Sequence, residues 1–161
     1  MEDSNKKMRG GLNKPIVWLV LGVVIIVGGV WLIFFSPPAA SGGEIIQINN
    51  VSLKVERATT AITQYNGLSG REFLCPDCGM IFVWPERATR AFVMRNMNFP
   101  LDIIFIDQNK IIKIDANLPP EGKSPTKIYS SLQPADMVLE VNAGYAAGQG
   151  LKVGDSLIFQ K

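Results

Sequence analysis

Residues 16 to 35, IVWLVLGVVIIVGGVWLIFF, carry no charged or polar side chain; seventeen are apolar and the others are Gly22, Gly28 and Gly29. At a helical rise of about 1.5 Å per residue this stretch reaches roughly 30 Å, the thickness of a bilayer's hydrocarbon core. The pattern predicts one N-terminal transmembrane helix over 15–35. Beyond it the apolar period falls to two. EIIQI, the pair Asn49-Asn50 and VSLKVE predict a hairpin, with Val51, Leu53 and Val55 on the core face and Ser52, Lys54 and Glu56 on the wet one. The alternation lapses from Thr59 to about Leu68, where a short helix is expected, capped by Thr59 or Thr60 and closed by Gly67 and Gly70.

MIFVW (80–84) and RAFVMR (90–95) are strand-like runs separated by Pro85 and a polar turn, which allows them to pair with each other. LDIIFID (101–107) is apolar on both faces apart from Asp102 and Asp107, as a strand in mid-sheet is, and Gln108-Asn109 turns it into KIIKIDA. Residues 117 to 134 hold four prolines and little periodicity, predicting a long surface loop. A strand returns at Val138 to Val141, Asn142 is expected to cap a brief helix over AGYAA, and SLIFQ closes the domain. Many short strands with few helical residues predict a mostly β fold, barrel-like or mixed β with short helices, behind the transmembrane helix.

Charge orients this arrangement. Lys6, Lys7, Arg9 and Lys14 precede the span, and Trp18 and Trp31 lie near its ends, so residues 1–14 form a cytoplasmic basic tail. The domain is then expected outside the cytoplasmic membrane, periplasmic or at the cell surface. A cleaved signal peptide is the alternative, since Ala39 and Ala40 precede Ser41; the apolar run is longer than a usual signal core, and Pro37 and Pro38 disturb the cleavage positions. Residues 36–43, SPPAASGG, read as a linker, leaving one domain over 44–161. Removing the tail and the span leaves twelve basic and twelve acidic residues, so the formal net charge of +2 belongs to the tail. No basic face for nucleic acid is expected. The chain has no histidine, which removes Ser-His-Asp and Cys-His catalysis and most zinc and copper sites.

Several landmarks fall in a specific order: Gly67-Leu68 with Arg71, Gly79 to Phe82, Phe92 to Asn96, Pro100 to Asp107, Val138 to Glu140, and Gly154-Asp155. In this order they resemble the family called domain of unknown function 192, across nearly all of residues 45 to 161. The resemblance implies a compact β-rich domain, often behind a signal peptide or anchor, and implies no reaction. The chain departs from the family pattern at Val93, where Trp is usual, at Arg95, where Lys is usual, and at Met97, where Thr is usual. The change from Lys to Arg keeps a cation but replaces a point charge with a planar five-donor fork.

Arg95-Asn96 follows an apolar run and shortly precedes Asp102, so polar groups gather between two core strands. Arg71, Arg95, Asn96, Asp102 and Glu140 are candidates to line one pocket for a small anionic or hydroxyl-rich ligand. The same residues could instead satisfy one another as an internal network that fixes the fold. Cys75-Pro76-Asp77-Cys78 supports three uses: a local disulfide, a thiol-redox site, or half of a metal site completed by other residues. The following Gly79 and strand are the wrong context for a thioredoxin-like site, which favours the disulfide. The glycines at 148, 150 and 154 match neither a dinucleotide nor a Walker spacing and read as turns. The sequence therefore points to a membrane-anchored, non-catalytic ligand-binding or structural module without cofactor or metal, with a thiol or metal protein centred on Cys75 and Cys78 as the alternative.

Overall fold

The computed structural model describes residues 43 to 160. The basic tail, the expected span and the linker up to residue 42 lie outside the described residues. Among the described residues no helix is long and apolar enough to cross a membrane. In chain order the elements are β1 (Glu44–Ile48), β2 (Val51–Ala58), α1 (Ala61–Asn66), β3 (Cys78–Phe92), β4 (Leu101–Asp107), β5 (Lys110–Leu118), β6 (Tyr129–Asn142), α2 (Tyr145–Gly148) and β7 (Leu157–Phe159). The strands make one sheet in the order β5-β4-β6-β3-β2-β1-β7. Its two edges approach each other: Ile111 N–H donates to the Asp155 carbonyl at 2.9 Å, and Leu157 N–H to the Asn109 carbonyl at 2.7 Å. The result is a mostly β half-barrel with short helices.

Local chemistry accounts for the turns. Asn49 joins β1 to β2 at φ 53°, and Gln108 and Asn109, at φ 48° and 64°, join β4 to β5. Two successive positive φ values are those of the tight turn whose twist matches flanking strands. Thr60 caps α1, its hydroxyl accepting from Thr63 N–H while the Thr63 hydroxyl accepts from Thr60 N–H. The crossover carrying α1 lets β2 and β3 run parallel, whereas the other pairings are antiparallel.

Three expectations are corrected. MIFVW and RAFVMR do not pair; MIFVW and the first half of RAFVMR, Arg90 to Phe92, belong to one strand, β3, which runs against β6, and Val93 to Arg95 lie beyond its end. Pro85 interrupts pairing without ending the strand, because it falls between Val83 and Ala88, where the register shifts and no ladder bond is required of its nitrogen. The loop expected over 117–134 shrinks to the residues between Leu118 and Tyr129, since β6 begins ahead of Pro134. Asn142 does not cap α2. The N-cap is Gly144, without a side-chain bond, while the Asn142 amide donates to the carbonyls of Leu74 and Cys75.

Strand alternation sorts the core onto two faces. Ile104 and Ile106 of β4, Leu139 and Val141 of β6 and Ile81 of β3 pack on one face with Leu53, Val55 and Leu157. Their sequence neighbours Ile103, Phe105, Val138, Met80 and Phe82 point the other way, where Leu68, Met94 and Met97 cover them. That is why β4 is apolar throughout: six of its seven residues are buried. The cover is tied down by backbone bonds, Gly70 N–H to the Asn96 carbonyl at 2.8 Å and Asn96 N–H to the Gly122 carbonyl at 2.7 Å. This second, covered face holds the candidate site.

Candidate functional site

On the covered face β6 places a carboxyl group where its neighbours are apolar. Glu140 lies in register with Met80 of β3 on one side and Ile103 of β4 on the other. It is 6% exposed, and its Oε2 has no hydrogen-bond partner among the described residues. Burial pushes its pKa up to about 8, against a smaller downward pull from the Arg71 guanidinium. At pH 7 the group is therefore chiefly a neutral acid, able to donate as well as accept.

Glu140 lines a cavity of about 210 Å³ together with, among others, Phe82, Trp84, Phe92, Tyr65 and Arg95. The first three rings pack against one another, Phe82 and Phe92 edge-on at 4.9 Å and 87°, Phe82 and Trp84 stacked at 6.2 Å. Gly67 shapes the approach to the acid. At φ 51° it ends α1, and a Cβ there would lie 3.7 Å from the unpartnered oxygen and 3.4 Å from the Phe82 ring. Strand β3 crosses the backbone of Glu140 more closely still at Gly79, whose Cβ would come within 2.8 Å of the Glu140 carbonyl.

Arg95, half-buried on the cavity rim, donates to the Tyr65 carbonyl at 2.9 Å and lies 4.0 Å from the centre of the Tyr65 ring. The Ser69 hydroxyl holds the Arg95 carbonyl at 2.8 Å, and Gln64 fixes α1 to the sheet through the Val83 carbonyl at 3.0 Å. Among the described residues one donor of the Arg95 guanidinium is committed in this way; a planar guanidinium has five.

The five polar candidates separate. Arg95 and Glu140 meet at the cavity. Arg71 stands nearby but is committed, its two terminal nitrogens donating to both oxygens of Glu56. That pairing holds the Glu56 carboxyl below the usual carboxylate range and raises Arg71, with Glu140 adding a weaker attraction. Asn96 is exposed, at φ 53° in the connection between β3 and β4, and serves through its backbone. Asp102 lies on the opposite face. It pairs in register with Val141, one residue from Glu140, and in a strand that single step reverses the direction of the side chain. There it accepts from the N–H groups of Asn117 (2.8 Å), Gly144 (3.0 Å) and Ala146 (2.9 Å), stitching β4 to the end of β5 and the start of α2.

Glu56, Tyr65, Trp84 and Gly67 belong to the surroundings of the site and were not among the candidates. For Glu56 a signal exists, since Glu56 and Glu140 share a face across Met80 and only strand pairing reveals it. Cys75 and Cys78 sit at the end of the crossover, joined to each other, with Cα atoms 5.2 Å apart. They adjoin the start of β3 and not a helix N-terminus. Among the described residues no group of three or more Cys, Asp, Glu or His side chains converges as a metal site would.

A family model described as "Uncharacterized ACR" matches residues 44–159. The chain belongs to the domain of unknown function 192 family. Two solved structures share its fold. A proposed transcription regulator from Sinorhizobium meliloti 1021 is 29% identical, with a TM-score of 0.69 over 76% of this chain and 98% of the other. A protein of unknown function from Novosphingobium aromaticivorans DSM 12444 is 32% identical, with a TM-score of 0.66 over 76% of this chain and 91% of the other. No match is found among the curated proteins.

Proposed function

We propose that this family domain is a non-catalytic ligand-binding module, carried outside the cytoplasmic membrane by the apolar N-terminal segment, whose ligand enters the cavity over Glu140. One observation carries the reading: a buried carboxyl with an unpartnered oxygen belongs to a residue that lines a cavity. An uncompensated buried polar group costs about 1 to 3 kcal/mol, and a ligand that completes its hydrogen bonding offsets that cost. Binding without chemistry is favoured by the composition of the wall. Glu140 is the sole carboxylate among the lining residues, so the two-carboxylate arrangement of glycoside hydrolysis is missing there.

The pair Cys75 and Cys78 is read as a structural bridge at the entry to β3. Away from a helix N-terminus a thiol lacks the positive field that would make it reactive. The description of the Sinorhizobium protein as a regulator does not extend to nucleic-acid binding here, because the charges of residues 36–161 balance. Two experiments test the proposal. A reporter enzyme fused after Lys161 should be active only outside the cytoplasm; cytoplasmic activity contradicts the placement. Native mass spectrometry of the full chain, purified in mild detergent, should show a small molecule that is lost in Glu140→Met, and identical spectra for the two proteins would contradict the pocket.

A further inference from the structure

The cavity carries one acid, Glu140, and one base, Arg95, and among the described residues no hydrogen bond or ion pair joins the two. We propose that it takes a small zwitterion of the amino-acid type, with the ammonium against Glu140 and the surrounding rings and the carboxylate on Arg95. The inference rests on the ligand-binding reading and narrows it to a chemical class.

Four observations lead there. Among the described residues Glu140 lacks a partner at Oε2, and neither nearby cation hydrogen-bonds to it: Arg71 is doubly bonded to Glu56, and the side-chain bond of Arg95 goes to the Tyr65 carbonyl. The complement of the acid must therefore come from outside. Phe82, Trp84 and Phe92 wall the same space, and the negative faces of aromatic rings attract ammonium groups. Arg95 on the rim retains uncommitted donors in the geometry that suits a carboxylate. A bare cation would meet the guanidinium and a bare anion would leave the ring faces unmatched, whereas a molecule carrying both charges sets one end against the rings and the acid and the other on Arg95. The volume of about 210 Å³ limits the guest to a small molecule, below the range of drug-sized sites.

Binding should move one proton. The protonated Glu140 gives up its hydrogen to solvent as the ammonium arrives, and the carboxylate and ammonium remain as a pair. The charged and titratable groups around the acid are Arg71 with Glu56 from the crossover side and Arg95 with Tyr65 from the rim. The Arg71 guanidinium, raised by Glu56, stays charged, and Glu56, held low by Arg71, stays ionised. The pH dependence therefore reports Glu140. Affinity should rise about tenfold per pH unit up to the Glu140 value near 8 and level off above it.

Titration calorimetry on the full chain in mild detergent, with glycine betaine, tetramethylammonium and glucose as probes, tests this. Betaine has no titrating ammonium proton, so any pH dependence belongs to the protein. Betaine should bind about tenfold more tightly at pH 7 than at pH 6 and release one proton. Glu140→Gln should weaken it at least tenfold and abolish the pH dependence, and Arg95→Gln should weaken betaine but not tetramethylammonium. Binding of glucose without proton release, with betaine silent, would overturn the zwitterion class and leave the pocket reading standing. Silence from all three probes also overturns the class, and the co-purified mass described above then decides the pocket reading separately. Equal loss of betaine and tetramethylammonium binding in Arg95→Gln would overturn the role of Arg95.

Discussion

The two faces of the half-barrel are made from the same strands and differ in one respect. On the face packed by Ile81, Leu139 and Val141, the buried carboxylate Asp102 has three backbone donors, all at 3.0 Å or less. On the covered face, the buried carboxyl of Glu140 has an oxygen with no partner among the described residues, and the residue lines a cavity. Asp102 completes the fold; Glu140 is left incomplete by it. A buried acid is thus not a functional signal in itself, and what distinguishes the two is whether the protein supplies the partner.

The comparison breaks most clearly at Asp102. Asp102→Ala strips acceptors from three N–H groups and should destabilise the domain by about 4 kcal/mol in chemical denaturation, since each orphaned buried donor costs about 1 to 3 kcal/mol. On the other face the sign should reverse. Glu140→Met removes an unsatisfied acid from an apolar surround and should stabilise the protein at pH 7, on the order of 3 kcal/mol. The gain should depend on pH. The folded value near 8 lies above the ordinary 4.5, so the folded state holds the extra proton between them. The wild-type group is at its most favourable below about pH 4.5 and loses that advantage as pH rises towards 8. The advantage of Met over wild type should therefore grow across that window, whereas an unchanging difference would show that Glu140 titrates normally.

Smaller effects sharpen the picture. Replacing Cys75 and Cys78 together by Ser should cost about 2 kcal/mol or less, because the loop they close is so short, and the circular dichroism spectrum should be unchanged. Arg95→Ala should alter the unfolding free energy least, by about 1 kcal/mol or less, since its guanidinium pairs with a carbonyl on the rim and supports no buried carboxylate. A large loss there would mean that Arg95 belongs to the internal network and not to the cavity.

Much of the fold is legible in the residues. Asn49-Asn50 and Gln108-Asn109 marked both tight turns, and the run LDIIFID marked a strand buried on both faces. Pro85 misled because proline excludes a ladder bond and not a strand, and the partner β6 is irregular at that point. Pro134 misled in the same way, since it lies opposite Thr89 within β6. The candidate site was half legible. A Glu inside VLEV is conspicuous, but grouping it with Asp102 required knowing the register. That register pairs Glu140 with Ile103 and sends Asp102 to the other side. The aromatic wall had no signature either, since Phe82, Trp84 and Phe92 share a face by virtue of one long bulged strand that the sequence divides in two.

The most direct test is the titration of Glu140 itself, followed by carbon-13 NMR of its carboxyl in the full chain. A midpoint near 8 that falls when glycine betaine is added would show an acid without an internal partner, open to a ligand. A midpoint in the ordinary carboxylate range, near 4.5, would mean that Glu140 is already solvated or paired, and would contradict the account.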